Sequence, residues 1–272
     1  MKKLLISSLM MGMAALAHAS AELPAAIKKK GEIVAAIMPN YPPMDFKDPA
    51  TNQLTGVDYD LGMALGERLG VKIKWTETAF EQMVSALTTG RVDIILSGMT
   101  DTTERQEVVT FVDYFVSGPI FYTLQSREDL KEMTDLCGKN VGTSRRTTFP
   151  AEIAKWSKEN CEAAGKPAVN VVGAEGSADA RAQLRQRRLD AAVQGSETVP
   201  YIMGLEKNTF KPIGTPIAKQ ITGLGVKKSN PELTQAVAAA IQGMIDDGTY
   251  QAILKKWDLE KSAIERVTIN GK

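Results

Sequence analysis

Two stretches of this chain place hydroxyl and guanidinium groups where they could hold an anion. Ser97-Gly98-Met99-Thr100-Asp101-Thr102-Thr103-Glu104-Arg105 follows a short apolar run and opens a short helix. Free backbone N–H groups gather at a helix start, and an arginine fork grips a carboxylate with two bonds. The chemistry that suits this pattern is capture of a small carboxylate by Arg105, with Thr100 and the main chain as further donors. The competing reading is a helix cap with a solvated arginine. A second cluster, Thr143-Ser144-Arg145-Arg146-Thr147-Thr148, stands before a helix with Pro150 in its first turn. There Thr148 reads equally well as an N-cap.

Composition removes much catalytic chemistry. The chain has 272 residues and a single histidine, His18. Its start joins Lys2 and Lys3 to an apolar stretch and an Ala17-His18-Ala19 site, the three parts of a secretory signal, so residues 1–19 are expected to be removed on export. His18 would leave with them, and the mature chain could run neither a Ser-His-Asp triad nor a histidine-based metal site. No cofactor and no metal is expected, since the methionines outside the signal are dispersed. The 33 basic and 32 acidic residues become 31 and 32 without Lys2 and Lys3. A net charge near zero argues against nucleic acid as a partner.

Cys137 and Cys161 are the two cysteines of a chain assigned to an oxidising compartment, so a disulfide is expected. A reactive thiol would need an activating neighbour such as histidine.

Apolar runs and helical spacings alternate around these groups. Glu32–Met38, Val71–Trp75 and Val92–Leu96 read as strands, with helices over 58–69 and 80–89 between them. The order β-α-β-α-β returns over 140–193, and the apolar 233–245 helix needs a core to pack on. Two such units predict an α/β fold of two lobes with mixed, largely parallel sheets. A ligand then belongs in the crevice at strand ends and helix starts.

The run Tyr41-Pro42-Pro43-Met44-Asp45-Phe46, then Gly56-Val57-Asp58-Tyr59-Asp60-Leu61, then Thr100 to Arg105, then Asp246-Asp247-Gly248-Thr249-Tyr250 with Lys256-Trp257, resembles the family 3 extracellular solute-binding proteins. These are periplasmic receptors of polar amino acid ABC importers. The resemblance implies a hinged, two-lobe periplasmic binding protein (type II, Venus flytrap), monomeric, that passes an amino acid or related carboxylate to a membrane permease. It implies a first lobe of residues 20–114 plus 223–272, a second of 118–219, and hinge crossings at 114–118 and 219–223. Its ligand positions fall on Tyr41 and Phe80 as walls, Gly98 and Thr100 as donors, Arg105 as clamp, then Thr147, Thr148 and Gln194 from the second lobe.

Two positions depart from the family pattern. An acid that meets the ligand's α-ammonium is usual where this chain has Gly195, which leaves Glu197 as the nearby substitute. Met38 stands where several members carry an aspartate, so with Tyr41, Phe80 and Met99 the pocket reads as poor in negative charge and unsuited to arginine, lysine or histidine. Arg146, where glycine is common, would add positive charge. The alternatives are a cyclohexadienyl dehydratase-like enzyme on the same fold, with Glu197 as general acid, and a sensor module without transport.

Overall fold

A computed structural model describes residues 22–272, so the expected signal at 1–19 lies outside the described residues. The elements run α1 (Ala25–Lys30), β1 (Glu32–Ile37), β2 (Asn40–Tyr41), β3 (Asp45–Lys47), β4 (Leu54–Thr55), α2 (Val57–Leu69), β5 (Lys72–Glu77), α3 (Met83–Thr88), β6 (Ile94–Ile95) and β7 (Val109–Ser117). Then come β8 (Pro119–Leu124), β9 (Asn140–Ser144), α4 (Phe149–Asn160), β10 (Asn170–Ala174), α5 (Ser177–Arg185), β11 (Ala191–Gly195), α6 (Val199–Leu205) and β12 (Phe210–Ile213). The chain closes with β13 (Gln220–Lys227), α7 (Pro231–Asp246), α8 (Thr249–Lys256) and β14 (Thr268–Ile269).

β1 shows why an unbroken apolar run makes a central strand. Ile33 and Ala35 enter one apolar cluster with α2 and α7, while Val34 and Ala36 enter another with α3. Alternate side chains therefore fill two cores, one on each face. β1 lies between β5 and β6, parallel to both. α2 turns Val57, Leu61 and Leu65 inward, and α7 brings Leu233, Val237, Ile241 and Met244 into the same core. The apolar tail thus does return to the first lobe.

The six-stranded sheet runs β14-β7-β13-β6-β1-β5 and the five-stranded sheet β10-β9-β11-β8-β12. Both are mixed, and the parallel part is confined to three strands in each. β7, β13 and β14 join the first sheet antiparallel, and β8 and β12 join the second in the same sense. The expected strand over 92–96 shortens to Ile94–Ile95 because the Asp93 carboxylate itself accepts the Val34 N–H at 2.8 Å. The helix expected over 80–89 divides into a 3₁₀ turn at Phe80–Gln82 followed by α3.

The chain changes sheets twice. β7 and β8 are separated by Gly118 alone, and β12 and β13 by residues 214–219. β7 and β13 run side by side with Ser117 opposite Gln220, and their register shifts between Thr222 and Gly223. A Cβ on Gly118 would stand 1.9 Å from the Ala218 carbonyl oxygen, so the two connections touch where only a hydrogen fits. In the second lobe Cys137 and Cys161 form the expected disulfide, with Cα atoms 5.5 Å apart.

Candidate functional site

A cavity of about 240 Å³ lies between the two sheets. Eight of the expected ligand residues line it: Tyr41, Phe80, Gly98, Thr100 and Arg105 from the first lobe, and Thr147, Thr148 and Gln194 from the second. Glu197 does not line it.

Arg105 is held ready for an anion. Its Nη1 donates to the Thr100 carbonyl at 2.7 Å, and its guanidinium lies 5.5 Å from the centre of the Phe80 ring. One carbonyl and one ring face leave most of its five donors unspent. Burial pulls its pKa below the ordinary arginine value, against Glu104 and Asp101, which raise it. Neither acid forms an ion pair with it.

The loop carrying Gly98 is pinned from beneath by Asp58. At the start of α2 its carboxylate accepts the Gly98 N–H at 2.7 Å and the Tyr114 hydroxyl at 2.6 Å. The Gly98 N–H, expected to meet the ligand, is therefore already spent. Gly56 precedes this helix at φ 125, and any Cβ there would stand 2.3 Å from the Met44 carbonyl oxygen. Asp60 takes Trp257 Nε1 and Lys256 Nζ, each at 2.7 Å. The Gly-x-Asp-x-Asp pattern thus positions the site from outside it.

The second wall differs from expectation in detail. Thr148 is the N-cap residue of α4 but its hydroxyl makes no cap bond. It accepts instead from Gln220 Nε2 at 2.9 Å. Thr147 caps in its place, accepting the Phe149 N–H at 3.3 Å and donating to the Ser144 carbonyl at 2.9 Å. Gln194 is buried and its Oε1 accepts from the Tyr122 hydroxyl at 2.9 Å.

The pocket expected to be poor in negative charge does carry acids. Asp45, Glu81 and Glu175 all line the cavity together with Arg105 and Arg146, whereas Met99 is buried in the β1–α3 core and does not. Glu81 pairs with Arg146 across the cleft, and Glu175 with Arg145 at 2.9 Å. Asp45 lies directly opposite Tyr41 in the β2–β3 pairing, and such residues share a face.

The description of the bacterial extracellular solute-binding proteins, family 3, matches residues 33–260. The chain belongs to this family. The solute-binding protein is similar to the L-arginine-binding protein of Pseudomonas aeruginosa, 31% identical over 80% of this chain and 84% of that one. Among solved structures it resembles an ancestral arginine-binding protein bound to glutamine, at 31% identity and TM-score 0.74, over 85% of this chain and 99% of that one. It also resembles the ancestral amino acid-binding protein AncCDT-1, a precursor of cyclohexadienyl dehydratase, at 29% identity and TM-score 0.74, over 85% and 97%.

In this solute-binding protein the departure at Gly195 has a structural counterpart. The Tyr41 hydroxyl donates to Glu197 Oε1 at 2.9 Å and accepts the Gly195 N–H at 3.2 Å. Glu197 is thereby tied behind Tyr41, while the Tyr41 ring faces the cavity. Burial raises the pKa of Glu197, against hydrogen bonds that include the one from Tyr41. Phe46 meets Tyr201 nearby, ring centres 5.5 Å apart, and adds an apolar contact between the lobes.

Proposed function

We propose that the mature protein is a periplasmic receptor that closes its two lobes on an amino acid and presents it to an ABC permease. The observation that carries this is Arg105, a half-buried guanidinium on the wall of an interlobe cavity with no carboxylate partner among the described residues. Such a charge is costly unless an anion completes it. A carboxylate on Arg105, with Thr100 beside it and the second lobe closing over both, links ligand capture to closure.

We infer that the lobes hinge at the paired segments 114–118 and 219–223, with sheet membership changing at Gly118 and 214–219. Tyr41 to Glu197, Arg146 to Glu81 and Gln220 to Thr148 would then be contacts of the closed form. The chain would act alone, as a monomer, after loss of residues 1–19. No covalent step is part of this reading, because Glu197, the general acid named for the dehydratase alternative, is engaged by Tyr41.

A thermal-shift panel of the standard L-amino acids, L-cystine and their deamino acids tests this reading. Stabilisation by at least one amino acid, followed by micromolar or tighter calorimetric binding, is the expected result. No stabilisation by any member would overturn it. Release of carbon dioxide from prephenate would move the protein to the enzyme reading.

A further inference from the structure

Two titratable side chains on the cavity wall have no oppositely charged partner among the described residues. Glu81 has Arg146 and Glu175 has Arg145, but Arg105 and Asp45 have none. Asp45 is fully buried; its Oδ2 accepts from Ser97 Oγ at 2.6 Å, its carboxyl meets that of Asp58, and no N–H or hydroxyl donor reaches its Oδ1. Around it stand Tyr41, Tyr114, Asp58 and Glu197, and none of the three acids forms an ion pair among the described residues. Glu197 leaves a second buried oxygen, Oε2, without a partner. Three carboxyl groups out of water with no cation form an incomplete arrangement, because a buried acid must keep its proton or find a positive charge.

The same region explains why residue 195 supplies no acid. A Cβ on Gly195 would lie 2.1 Å from Glu197 Oε1 and 2.4 Å from Oε2, so the Glu197 carboxylate occupies the place where that side chain would begin. Glu197 is itself bonded to Tyr41 and absent from the cavity wall, whereas Asp45 is on it.

We propose that Asp45 is the counter-charge for the ligand's ammonium group, in place of the acid missing at residue 195, so that Arg105 and Asp45 together select zwitterions over simple carboxylates. This rests on the amino acid reading above. Without ligand, burial and the neighbouring Asp58 push the pKa of Asp45 well up, against the hydrogen bond from Ser97. An ammonium group entering the cavity supplies the missing positive charge. Asp45 ionises, its proton passes to solvent, and Glu197 behind Tyr41 adds to the negative field.

The test compares, by calorimetric titration at pH 7, the amino acid that stabilises the protein most with its deamino acid. Wild type should prefer the amino acid at least 100-fold. Asp45→Asn should lower amino acid affinity at least tenfold and leave deamino acid affinity within threefold. An unchanged ratio in Asp45→Asn, or a loss confined to Glu197→Gln, overturns the assignment. Should Asp45→Asn fail to fold, titrating wild type in two buffers of different ionisation enthalpy decides the matter. Proton release with the amino acid but not with the deamino acid supports Asp45, and equal release with both overturns it. A wild type that binds only deamino acids overturns this assignment while keeping the Arg105 clamp. One that binds neither overturns the amino acid reading itself.

Discussion

The Glu197 carboxylate fills the space beside the Gly195 α-carbon, with Oε1 2.1 Å from where a Cβ would stand. Residue 195 ends β11 opposite Pro119 and lies outside the left-handed region, so the requirement for glycine is steric. Gly195→Ala should therefore evict the carboxylate from Tyr41 without deforming β11. We expect a loss of about 1 kcal/mol, the net worth of one hydrogen bond, or a Tm lower by about 2–4 °C. In a Glu197→Ala background the same substitution should cost nothing further. Melting curves of the two single variants and the double variant check this, and additive losses would show that the clash lies elsewhere.

Arg105→Lys separates the clamp from mere positive charge. A lysine keeps the charge but has neither the planar fork nor the same stacking on Phe80. Losing one charge-assisted bond of the fork costs about 1.5–3 kcal/mol, so affinity for the bound amino acid should fall about tenfold or more. The unliganded Tm should move little, since Arg105 makes one side-chain bond within the protein, to Thr100. Calorimetric affinity within threefold of wild type would remove Arg105 from the site.

How much of this was legible in the sequence depended on how far apart the interacting residues lie. β1 and α2 could be read because an unbroken apolar run and a helical stripe are local patterns. Arg105 and Thr100 were legible because strand, loop and helix start follow one another. The tie from Tyr41 to Glu197 spans 156 positions, and the one from Gln220 to Thr148 spans 72, so no local pattern records them. Asp45 was hidden differently: it stands in a stretch read for its family resemblance, and its surroundings exist only once Ser97 and Asp58 have been brought beneath it. Thr147 replaced Thr148 as the capping side chain because Thr148 turns to Gln220 instead, a choice that tertiary packing makes.

The Cys137–Cys161 bridge spans 24 positions and closes a loop holding β9 and α4. In the chain-entropy model such a loop is worth about 3–4 kcal/mol. Replacing both cysteines by serine should lower the Tm by about 6 °C or more at this chain size. Neither cysteine lines the cavity, so the affinity of the folded double variant should stay within about twofold of wild type. A large affinity change with an unchanged melting curve would mean that the bridge shapes the site and not the stability of its lobe.

Buried carboxyl groups set the pH dependence of folding. Burial raises the pKa of Asp113 to about 6, against hydrogen bonds from Thr268 and Gly271, and burial also raises Asp45, Asp58 and Glu197. An acid whose pKa is higher in the folded protein binds more protons there than in the unfolded chain. Its contribution is full below the unfolded value near 4 and is lost as pH rises through the folded value. Asp129 and Asp247, each lowered to about 2 by hydrogen bonds and by arginine, act in the opposite sense, but only below about pH 4. The unliganded protein should thus melt higher at pH 5 than at pH 7.5. Asp113→Asn, which keeps an oxygen for Thr268 and Gly271, should narrow that gap. Calorimetric scans across the range measure both, and a Tm that climbs steadily from pH 5 to 7.5 would show that these acids are ionised at little cost in the folded chain.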